Sequence, residues 1–253
     1  MRYKAKYFAT TSKFYDTVYE KLRSPVDKKF YLEEILNCDG KILEIGCGTG
    51  RIFVDALRSG ADIYGIDASR NMIKILKQKI EKKDHYRVSV ADARRVNFDM
   101  TFDLIIAPFR VFSHMFTIAD QQSFLKCAKS AMNENAKLII DLFYPKPDLI
   151  HHPTKTLMDF EGEYKPGKKL RRYVTIEPDP VEQINNLITV FEWDEDSGIK
   201  KFREDFSMRY FYKFEMIHLL KSSGLKVNEI YGDFERNKLV SGKWEQLFIC
   251  SPA

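Results

Sequence analysis

Residues 42–51 join a short apolar strand sequence to a glycine-rich turn: Ile-Leu-Glu-Ile-Gly-Cys-Gly-Thr-Gly-Arg. Gly46, Gly48 and Gly50 lack a Cβ, so the backbone can turn sharply and a ligand can lie against the main chain. The helix expected to follow would direct its free N–H groups at that ligand. A dinucleotide-binding turn has the spacing Gly-x-Gly-x-x-Gly, and Arg51 occupies the position of its third glycine. The spacing therefore departs from that of NAD-binding proteins.

Two aspartates follow predicted strands beyond this turn. Asp67 ends an apolar stretch about 20 residues after the glycines, where a doubly wound sheet meets the ribose of a nucleotide. Asp92 lies in the sequence Val-Ala-Asp-Ala after the third predicted strand. Taken singly, these features also fit a tight turn, a helix cap or a surface acid. Their joint occurrence at strand ends favours a binding site.

Together these motifs resemble those of the class I S-adenosylmethionine-dependent methyltransferases. The resemblance implies that Asp67 accepts hydrogen bonds from the ribose hydroxyls of S-adenosyl-L-methionine and that Asp92 receives the adenine amino group. It also implies that Met72 packs on the adenine and that Glu44 lies near the methionine amino end. The cofactor-binding residues expected on this basis are Tyr15, Tyr19, Glu44, Gly46, Cys47, Gly48, Gly50, Asp67, Ala68, Met72, Asp92, Ala93, Pro108 and Phe109.

Tyr15 and Tyr19 are four residues apart, so a helix would place both rings on one face. This arrangement resembles the N-terminal helix that closes over the cofactor in the small-molecule branch of the family. An aromatic stripe that packs in the core explains the same spacing equally well.

The segment Pro-Phe-Arg-Val-Phe-Ser-His-Met, residues 108–115, follows the fourth predicted strand at the carboxyl edge of the sheet. His114 is the candidate catalytic base, because the ordinary pKa of histidine lies near neutrality; packing or capping a helix is the alternative. A lid hinge and a β-turn are the alternatives for three later candidates, Arg209, Tyr210 and Asp233. The candidate substrate-binding residues are Arg110, Phe112, His114, Arg209, Tyr210 and Asp233.

Alternating strands and helices are expected to position these residues. Two short helices separated at Pro25 come first, and a helix capped by Ser69 follows the second strand. The alternation indicates right-handed crossovers and a parallel sheet. The predicted strands are 41–45, 61–66, 86–90, 102–107, 137–143, 225–231 and 244–250, and the other predicted helices are 51–58, 120–132 and 213–222.

The alternation stops after Tyr144, where turn signals separate stretches rich in β-branched and aromatic residues. The expected fold is therefore a doubly wound, seven-stranded, mainly parallel α/β sheet, Rossmann-like, with an inserted antiparallel β lid. The basic stretch within residues 165–172 is expected on a solvated edge strand protected by lysines, and a hairpin that binds a phosphate or carboxylate is the alternative. The predicted division is 1–144 for the N-terminal helices and cofactor-binding half, 145–208 for the lid and 209–253 for the elements that complete the sheet.

The net charge of +5 is concentrated near the N-terminus, since residues 1–30 hold eight Lys and Arg against three Asp and Glu. The remaining charges balance, which favours a small acceptor over nucleic acid. Four scattered cysteines and the His151-His152 pair complete no metal-ligand pattern, so no metal is expected. The absence of a long apolar run and of a signal sequence predicts a cytoplasmic protein without membrane association.

The expected reaction is methyl transfer from S-adenosyl-L-methionine to a small-molecule N or O nucleophile. An amine would need only to arrive unprotonated, whereas a hydroxyl would require a base such as His114. The alternatives are an RNA or tRNA methyltransferase and a non-catalytic protein that binds the cofactor. The sequence leaves the acceptor and the choice between monomer and homodimer open.

Overall fold

The computed structural model describes residues 9–22 and 25–253. The strands are β1 (Ile42–Ile45), β2 (Ile63–Asp67), β3 (Val88–Val90), β4 (Phe102–Ala107), β5 (Met132–Phe143), β6 (Leu157–Lys165), β7 (Lys168–Asp179), β8 (Ile184–Glu195), β9 (Gly198–Arg209), β10 (Leu225–Tyr231) and β11 (Glu245–Pro252). The helices are α1 (Ala9–Leu22), α2 (Pro25–Leu36), α3 (Phe53–Arg58), α4 (Arg70–Lys79), α5 (Ile118–Ser130), α6 (Pro147–His151) and α7 (Lys213–Ser222), with short 3-10 helices at Lys82–Arg87 and Val111–His114.

These elements form two compact units. The larger one contains residues 25–144 and 211–253, and the smaller one groups the N-terminal segment, including α1, with residues 145–210. The sequence predicts both N-terminal helices in the cofactor-binding half; α2 lies in the larger unit, whereas α1 groups with the smaller one.

The larger unit is built on a seven-stranded sheet of order β10-β11-β5-β4-β1-β2-β3. β11 is antiparallel to β5 and β10, whereas β1 through β5 are paired in parallel. Each face of the sheet has its own apolar cluster: residues of α5 and α7 pack on one face, and residues of α2, α3 and α4 pack on the other. The predicted doubly wound, mainly parallel sheet is confirmed.

The apolar strands occupy the centre because they are covered on both faces. All four residues of β1 are buried, as are five of the six residues of β4. Parallel strands with helices on both sides have such largely apolar sequences. Consequently the glycine turn, which begins where β1 ends, lies at the carboxyl edge of the sheet, beside these buried strands.

The structure confirms the predicted bounds of β4, α7 and β10. It also confirms the Ser69 cap of α4, because the Ser69 hydroxyl accepts from Met72 N at 3.4 Å. β5 begins at Met132, five residues before the predicted start. Its first part, Met-Asn-Glu-Asn-Ala, is mostly polar, and Met132 enters the sheet because it pairs with Phe102. Helix α6 was not predicted.

The smaller unit is a four-stranded antiparallel sheet of order β6-β7-β8-β9. The predicted antiparallel hairpins are therefore present. Phe14 and Val18 of α1 pack into the same apolar cluster as Phe160, Leu170 and Phe191 of the sheet. This packing explains why the N-terminal helix groups with the inserted strands.

The basic stretch was wrongly placed on an edge strand. Four of its five cations, in residues 168–172, lie on β7, which pairs with β6 on one side and β8 on the other. Acidic neighbours compensate these charges: Lys168 pairs with Asp196 at 2.6 Å, and Arg171 pairs with Glu161 at 3.1 Å. The sequence reveals the charges, but the strand order depends on pairings between distant segments.

Within residues 9–22 and 25–253, no helix is long and apolar enough to cross a membrane. The same residues contain no group of three or more His, Cys, Asp or Glu side chains that could hold a metal ion.

A pair of glycine substitutions tests the packing of the turn. Gly50 has φ +91°, and a Cβ there would lie 2.3 Å from Leu76 Cδ1 and 2.8 Å from Val54 Cγ2. Gly60 has a similar φ of +89°, but a Cβ there would meet nothing within 4 Å. We expect Gly60→Ala to lower the free energy of unfolding by about 1–2 kcal/mol through backbone strain alone. Gly50→Ala should cost about 1–3 kcal/mol more because of overpacking.

Urea unfolding of the wild type and both variants measures this difference directly. Equal losses for Gly50→Ala and Gly60→Ala would contradict the inference that the turn is closely packed against α3 and α4.

Candidate active site

The three glycines of the turn have different surroundings. A Cβ at Gly46 would lie 2.3 Å from Val111 Cγ2, and the one at Gly50 would collide with α3 and α4 side chains. At Gly48 the nearest atom would be the carbonyl oxygen of Gly46, at 3.9 Å. Gly46 and Gly50 therefore permit close packing, whereas Gly48 leaves the main chain open on one side to a ligand.

Asp67 is fixed beside this open side by two backbone donors. Its Oδ2 accepts from Gly48 N at 3.0 Å, and its Oδ1 accepts from Ser69 N at 2.7 Å. Burial raises the pKa of Asp67, and the two N–H donors oppose that rise. Because a carboxylate offers about four lone-pair positions, Asp67 retains acceptor capacity for ligand hydroxyls.

Glu44 is a buried carboxyl on β1, only 3% exposed. Its Oε2 atom is buried and has no hydrogen-bond partner within the described residues. Burial raises the pKa of Glu44 to about 8; Arg51 opposes this rise and Asp67 adds to it. An unpaired buried acceptor is costly, so the position suits a ligand that donates a hydrogen bond.

Arg51 connects the turn to two other segments. Its guanidinium donates to both carboxylate oxygens of Asp27 on α2, at 3.1 and 2.5 Å. The same group lies 4.8 Å from the ring centroid of Phe109, which follows β4. Asp27 was not among the predicted site residues, because an acid in the first turn of a helix gives no sequence signal of this long-range pairing.

Asp92 accepts hydrogen bonds from Arg94, which was also not among the predicted site residues. Arg94 donates to Asp92 Oδ2 from Nη2 at 2.6 Å and to Oδ1 from Nε at 2.9 Å. Hydrogen bonds from Arg94 hold the pKa of Asp92 below its usual range. Of the neighbouring cofactor candidates, Met72 is almost fully buried, Ala93 is half-buried and Ala68 is exposed.

The loop after β4 has an unusual backbone. Phe109 and Arg110 are consecutive non-glycine residues with φ +66° and +62°. Such conformations are uncommon and cluster at functional sites. Arg110 Nη2 pairs with Glu245 Oε1 at 2.5 Å, and the Arg110 guanidinium lies 5.4 Å from the Phe143 ring centroid. The strained backbone thus aims Arg110 at the start of β11.

Phe112 and His114 of the same segment have different environments. Phe112 is fully buried and packs against Phe124 and Phe211, with ring centroids 5.1 and 5.2 Å away. It is a core residue and is not accessible to a substrate in this structure. His114 is half-buried in the short 3-10 helix and lies 6.4 Å from the Phe116 ring. Pro108, before the loop, is buried.

A buried polar pair that was not predicted lies near the carboxyl end of β5. Tyr31 OH donates to Asp141 Oδ1 at 2.7 Å, and both residues are at most 1% exposed. Burial, followed by the nearby Asp141, raises the pKa of Tyr31 well above its usual value. The acid in the otherwise apolar run Leu-Ile-Ile-Asp-Leu-Phe was the available sequence signal.

Asp233 organises the turn between β10 and β11. It accepts from Asn237 N at 3.1 Å and from Lys243 Nζ at 2.6 Å. Desolvation raises the pKa of Asp233, but the hydrogen bonds from Lys243 and Asn237 outweigh it and lower the value to about 2. These bonds anchor Asp233 at this turn, and its contact with a substrate stays a prediction.

Of the remaining candidates, Cys47 is buried in the glycine turn of the larger unit, and the other four belong to the smaller unit. The rings of Tyr15 and Tyr19 lie side by side, with centroids 4.5 Å apart, and Arg172 donates to Tyr19 OH at 3.2 Å. Arg209 donates to Glu182 O at 3.1 Å, and Tyr210 is almost fully buried. The shared face of the tyrosines is confirmed, whereas the roles of these four residues at the cofactor or acceptor stay predictions.

Comparisons with known proteins agree with this geometry. The methyltransferase domain family matches residues 42–135, which include the glycine turn, Asp67 and Asp92. The putative methyltransferase YqeM of Bacillus subtilis is 24% identical over 240 residues, covering 92% of this chain and 93% of that protein. A glycine/sarcosine N-methyltransferase of Halorhodospira halochloris is 25% identical over 217 residues, covering 84% of this chain and 76% of that protein.

A solved structure has the same fold. The sugar N-methyltransferase KedS8 from Streptoalloteichus sp. has a TM-score of 0.75 at 14% sequence identity, and the match covers 100% of this chain and 96% of that one. The expected fold, including the antiparallel sheet after β5, is thus shared with a protein of known structure.

Glu44 should make the stability of the ligand-free protein depend on pH. Its pKa of about 8 exceeds the ordinary value of 4.5, so between these values the unfolded chain releases a proton that the folded protein keeps. The free energy of unfolding should therefore fall as pH rises through this window, by at most about 5 kcal/mol, and then level off. Glu44→Gln should flatten this dependence.

Urea unfolding between pH 4.5 and 8.5 measures the effect, with Glu235→Gln, an exposed position, as the control. If Glu44→Gln keeps the slope of the wild type, Glu44 is not the group responsible.

Asp67 should be essential for cofactor binding. Asp67→Ala removes the carboxylate that stands beside Gly48, and the loss of a charge-assisted hydrogen bond costs about 1.5–3 kcal/mol. We expect the Kd for S-adenosylhomocysteine, measured by calorimetry, to rise at least about tenfold. Asp55→Ala, which removes a partly exposed acid from neighbouring α3, should leave the Kd unchanged. Equal Kd values for the wild type and Asp67→Ala would remove Asp67 from the site.

Proposed function

We propose that this chain, which belongs to the class I S-adenosylmethionine-dependent methyltransferases, transfers a methyl group to a nitrogen or oxygen atom of a small molecule. The observation that carries the proposal is the open main chain at Gly48 beside the fixed carboxylate of Asp67. This arrangement lies at the carboxyl edge of the sheet, where doubly wound folds bind their ligands.

The residues present fit the cofactor. Gly48 offers an uncovered main-chain surface, and Asp67 offers acceptors for the ribose hydroxyls. The unpaired Oε2 of Glu44 suits the amino group of the methionine part. These three residues, with Asp92 at the adenine end, are the proposed cofactor contacts.

Positioning accounts for much of the proposed catalysis. When bound, S-adenosylmethionine supplies a methyl group on a positively charged sulfonium, which is already a strong electrophile. Holding two reactants in line can supply on the order of 7–11 kcal/mol in favourable cases. For an amine acceptor, the protein must bind the unprotonated form. For a hydroxyl acceptor, His114 is the proposed base, since it lies on the loop that follows β4.

Two lines of support favour a small acceptor over RNA. The similar proteins include a glycine/sarcosine N-methyltransferase and a sugar N-methyltransferase, both named for small acceptors. In addition, three basic side chains of the smaller unit are paired with acids: Lys168 with Asp196, Arg171 with Glu161 and Arg172 with Asp159. These cations are therefore already compensated, whereas a phosphate-binding surface requires excess positive charge.

Methyl transfer to a defined panel tests the proposal. The purified protein is first titrated with S-adenosylmethionine to establish binding at 1:1. Formation of S-adenosylhomocysteine is then followed with glycine, sarcosine, amino sugars, hydroxylated small molecules and unmodified tRNA. We expect turnover with a member of the small-molecule set at a rate insensitive to salt between 50 and 200 mM.

Turnover restricted to tRNA, with affinity falling steeply over that salt range, would replace the proposal by the nucleic-acid alternative. Cofactor binding without turnover on any acceptor of the panel would count against the proposal and favour a binding protein. A hydroxyl acceptor should lose activity at least about a hundredfold in His114→Ala, as expected for loss of a general base, whereas an amine acceptor should be less affected.

A further inference from the structure

Arg94 encloses the carboxylate predicted to contact the adenine. Four donor contacts join the two side chains and their backbone. Asp92 Oδ1 accepts from Arg94 N at 3.0 Å and from Arg94 Nε at 2.9 Å. Asp92 Oδ2 accepts from Arg94 Nη2 at 2.6 Å, with Nε more distant at 3.2 Å. A residue two positions along the chain therefore determines how Asp92 is oriented.

The number of remaining acceptor positions follows from this geometry. A carboxylate has about two lone-pair positions on each oxygen. On Oδ1, both positions are used by Arg94 N and Arg94 Nε. On Oδ2, Nη2 donates at 2.6 Å. Nε has a single N–H, which donates mainly to Oδ1 at 2.9 Å and reaches Oδ2 only at 3.2 Å, so one position on Oδ2 is left. A ligand amino group can consequently donate a hydrogen bond to the one remaining position on Oδ2.

Arg94 is itself held from the other side. Its Nη1 donates to Asp120 Oδ1 at 2.8 Å, near the start of α5. Asp120 is positioned by Thr117, whose hydroxyl donates to Asp120 Oδ2 at 3.0 Å and accepts from Asp120 N at 3.1 Å. The guanidinium is thus fixed between two acids on different elements, and its orientation does not depend on Asp92 alone.

We propose that Arg94 is a positioning residue for the cofactor: it orients Asp92 so that Oδ2 accepts the adenine amino group and thereby makes binding selective for adenine. This role rests on the proposed contact between Asp92 and the adenine, and it does not depend on which molecule accepts the methyl group. Arg95 provides the matched control, because it is the adjacent arginine and is exposed.

Calorimetry with two ligands tests this role without an activity assay. S-adenosylhomocysteine carries the adenine amino group, and its inosine analogue carries an oxygen there. We expect the wild type to prefer S-adenosylhomocysteine at least about tenfold, since the analogue replaces a donor by an acceptor facing the carboxylate. Arg94→Ala should reduce this preference to less than about threefold, as should Asp92→Ala, whereas Arg95→Ala should retain it.

The outcomes separate a positioning role from a structural one. If Arg94→Ala weakens both ligands equally and keeps the preference, Arg94 only stabilises the loop, and the proposal is wrong. Tighter binding of S-adenosylhomocysteine by Arg94→Ala would also overturn it, because Arg94 would then compete with adenine for Asp92. A wild type without preference would show that Asp92 does not contact the amino group.

Two further variants distinguish the loss of the orienting role from misfolding of the protein. Arg94→Lys keeps a positive charge but has no planar pair of donors, so it should lose most of the preference while melting within a few degrees of the wild type. Asp120→Asn weakens the second anchor and should lower the preference less than Arg94→Ala does. If Arg94→Lys retains the full preference, the charge alone suffices and the orienting role is refuted.

Discussion

The site depends on how closely the turn after β1 packs against its surroundings. Gly46 and Gly50 leave no room for a Cβ, because Val111 lies against one and Leu76 against the other. Gly48, between them, remains open and donates its N–H to Asp67. The close packing at Gly46 and Gly50 fixes the position of the turn relative to its neighbours. The main chain at Gly48 is therefore kept next to the carboxylate of Asp67. A side chain at either packed position would move both.

Buried ionisable groups lie around this turn. They lower the stability of the ligand-free protein, but they provide polar atoms that a ligand can bind. Glu44 lies on a central strand with an oxygen that lacks a partner, where a leucine of similar size would pack without that penalty. Arg51 partly compensates, since its charge favours the ionised form of Glu44, and Asp27 in turn holds Arg51. A ligand that brings its own donor to Glu44 would stabilise the folded state.

The sequence predicted those parts of the site whose geometry is set locally. The glycine spacing, the acid that ends β2 and the Ser69 cap depend on backbone rules that act over a few residues, and the structure has them as predicted. The pairings of Asp27 with Arg51 and of Tyr31 with Asp141 join residues 24 and 110 positions apart. Their partners are chosen by tertiary packing, so no spacing rule could identify them.

Errors in the prediction have the same origin. An aromatic residue in a loop can face the core or a ligand, and Phe112 faces the core because Phe124 and Phe211 complete its surroundings. Similarly, the cations of β7 are characteristic of an edge strand, but β6 and β8 flank that strand. Glu161 on β6 pairs with Arg171, and Asp196 in the turn after β8 pairs with Lys168.

The two aspartates of the predicted cofactor site are held by different kinds of donor, and this difference has consequences. Asp67 is fixed by backbone N–H groups of Gly48 and Ser69, whose positions are part of the fold itself. Asp92 is fixed largely by the side chain of Arg94, about one-third exposed, which must lose rotamer freedom to hold it. The end of the site that is predicted to bind the ribose is therefore the more rigidly held end. The end that is predicted to bind the adenine owes its order to a side-chain network, so it can be altered by substitution without changing the turn or the sheet.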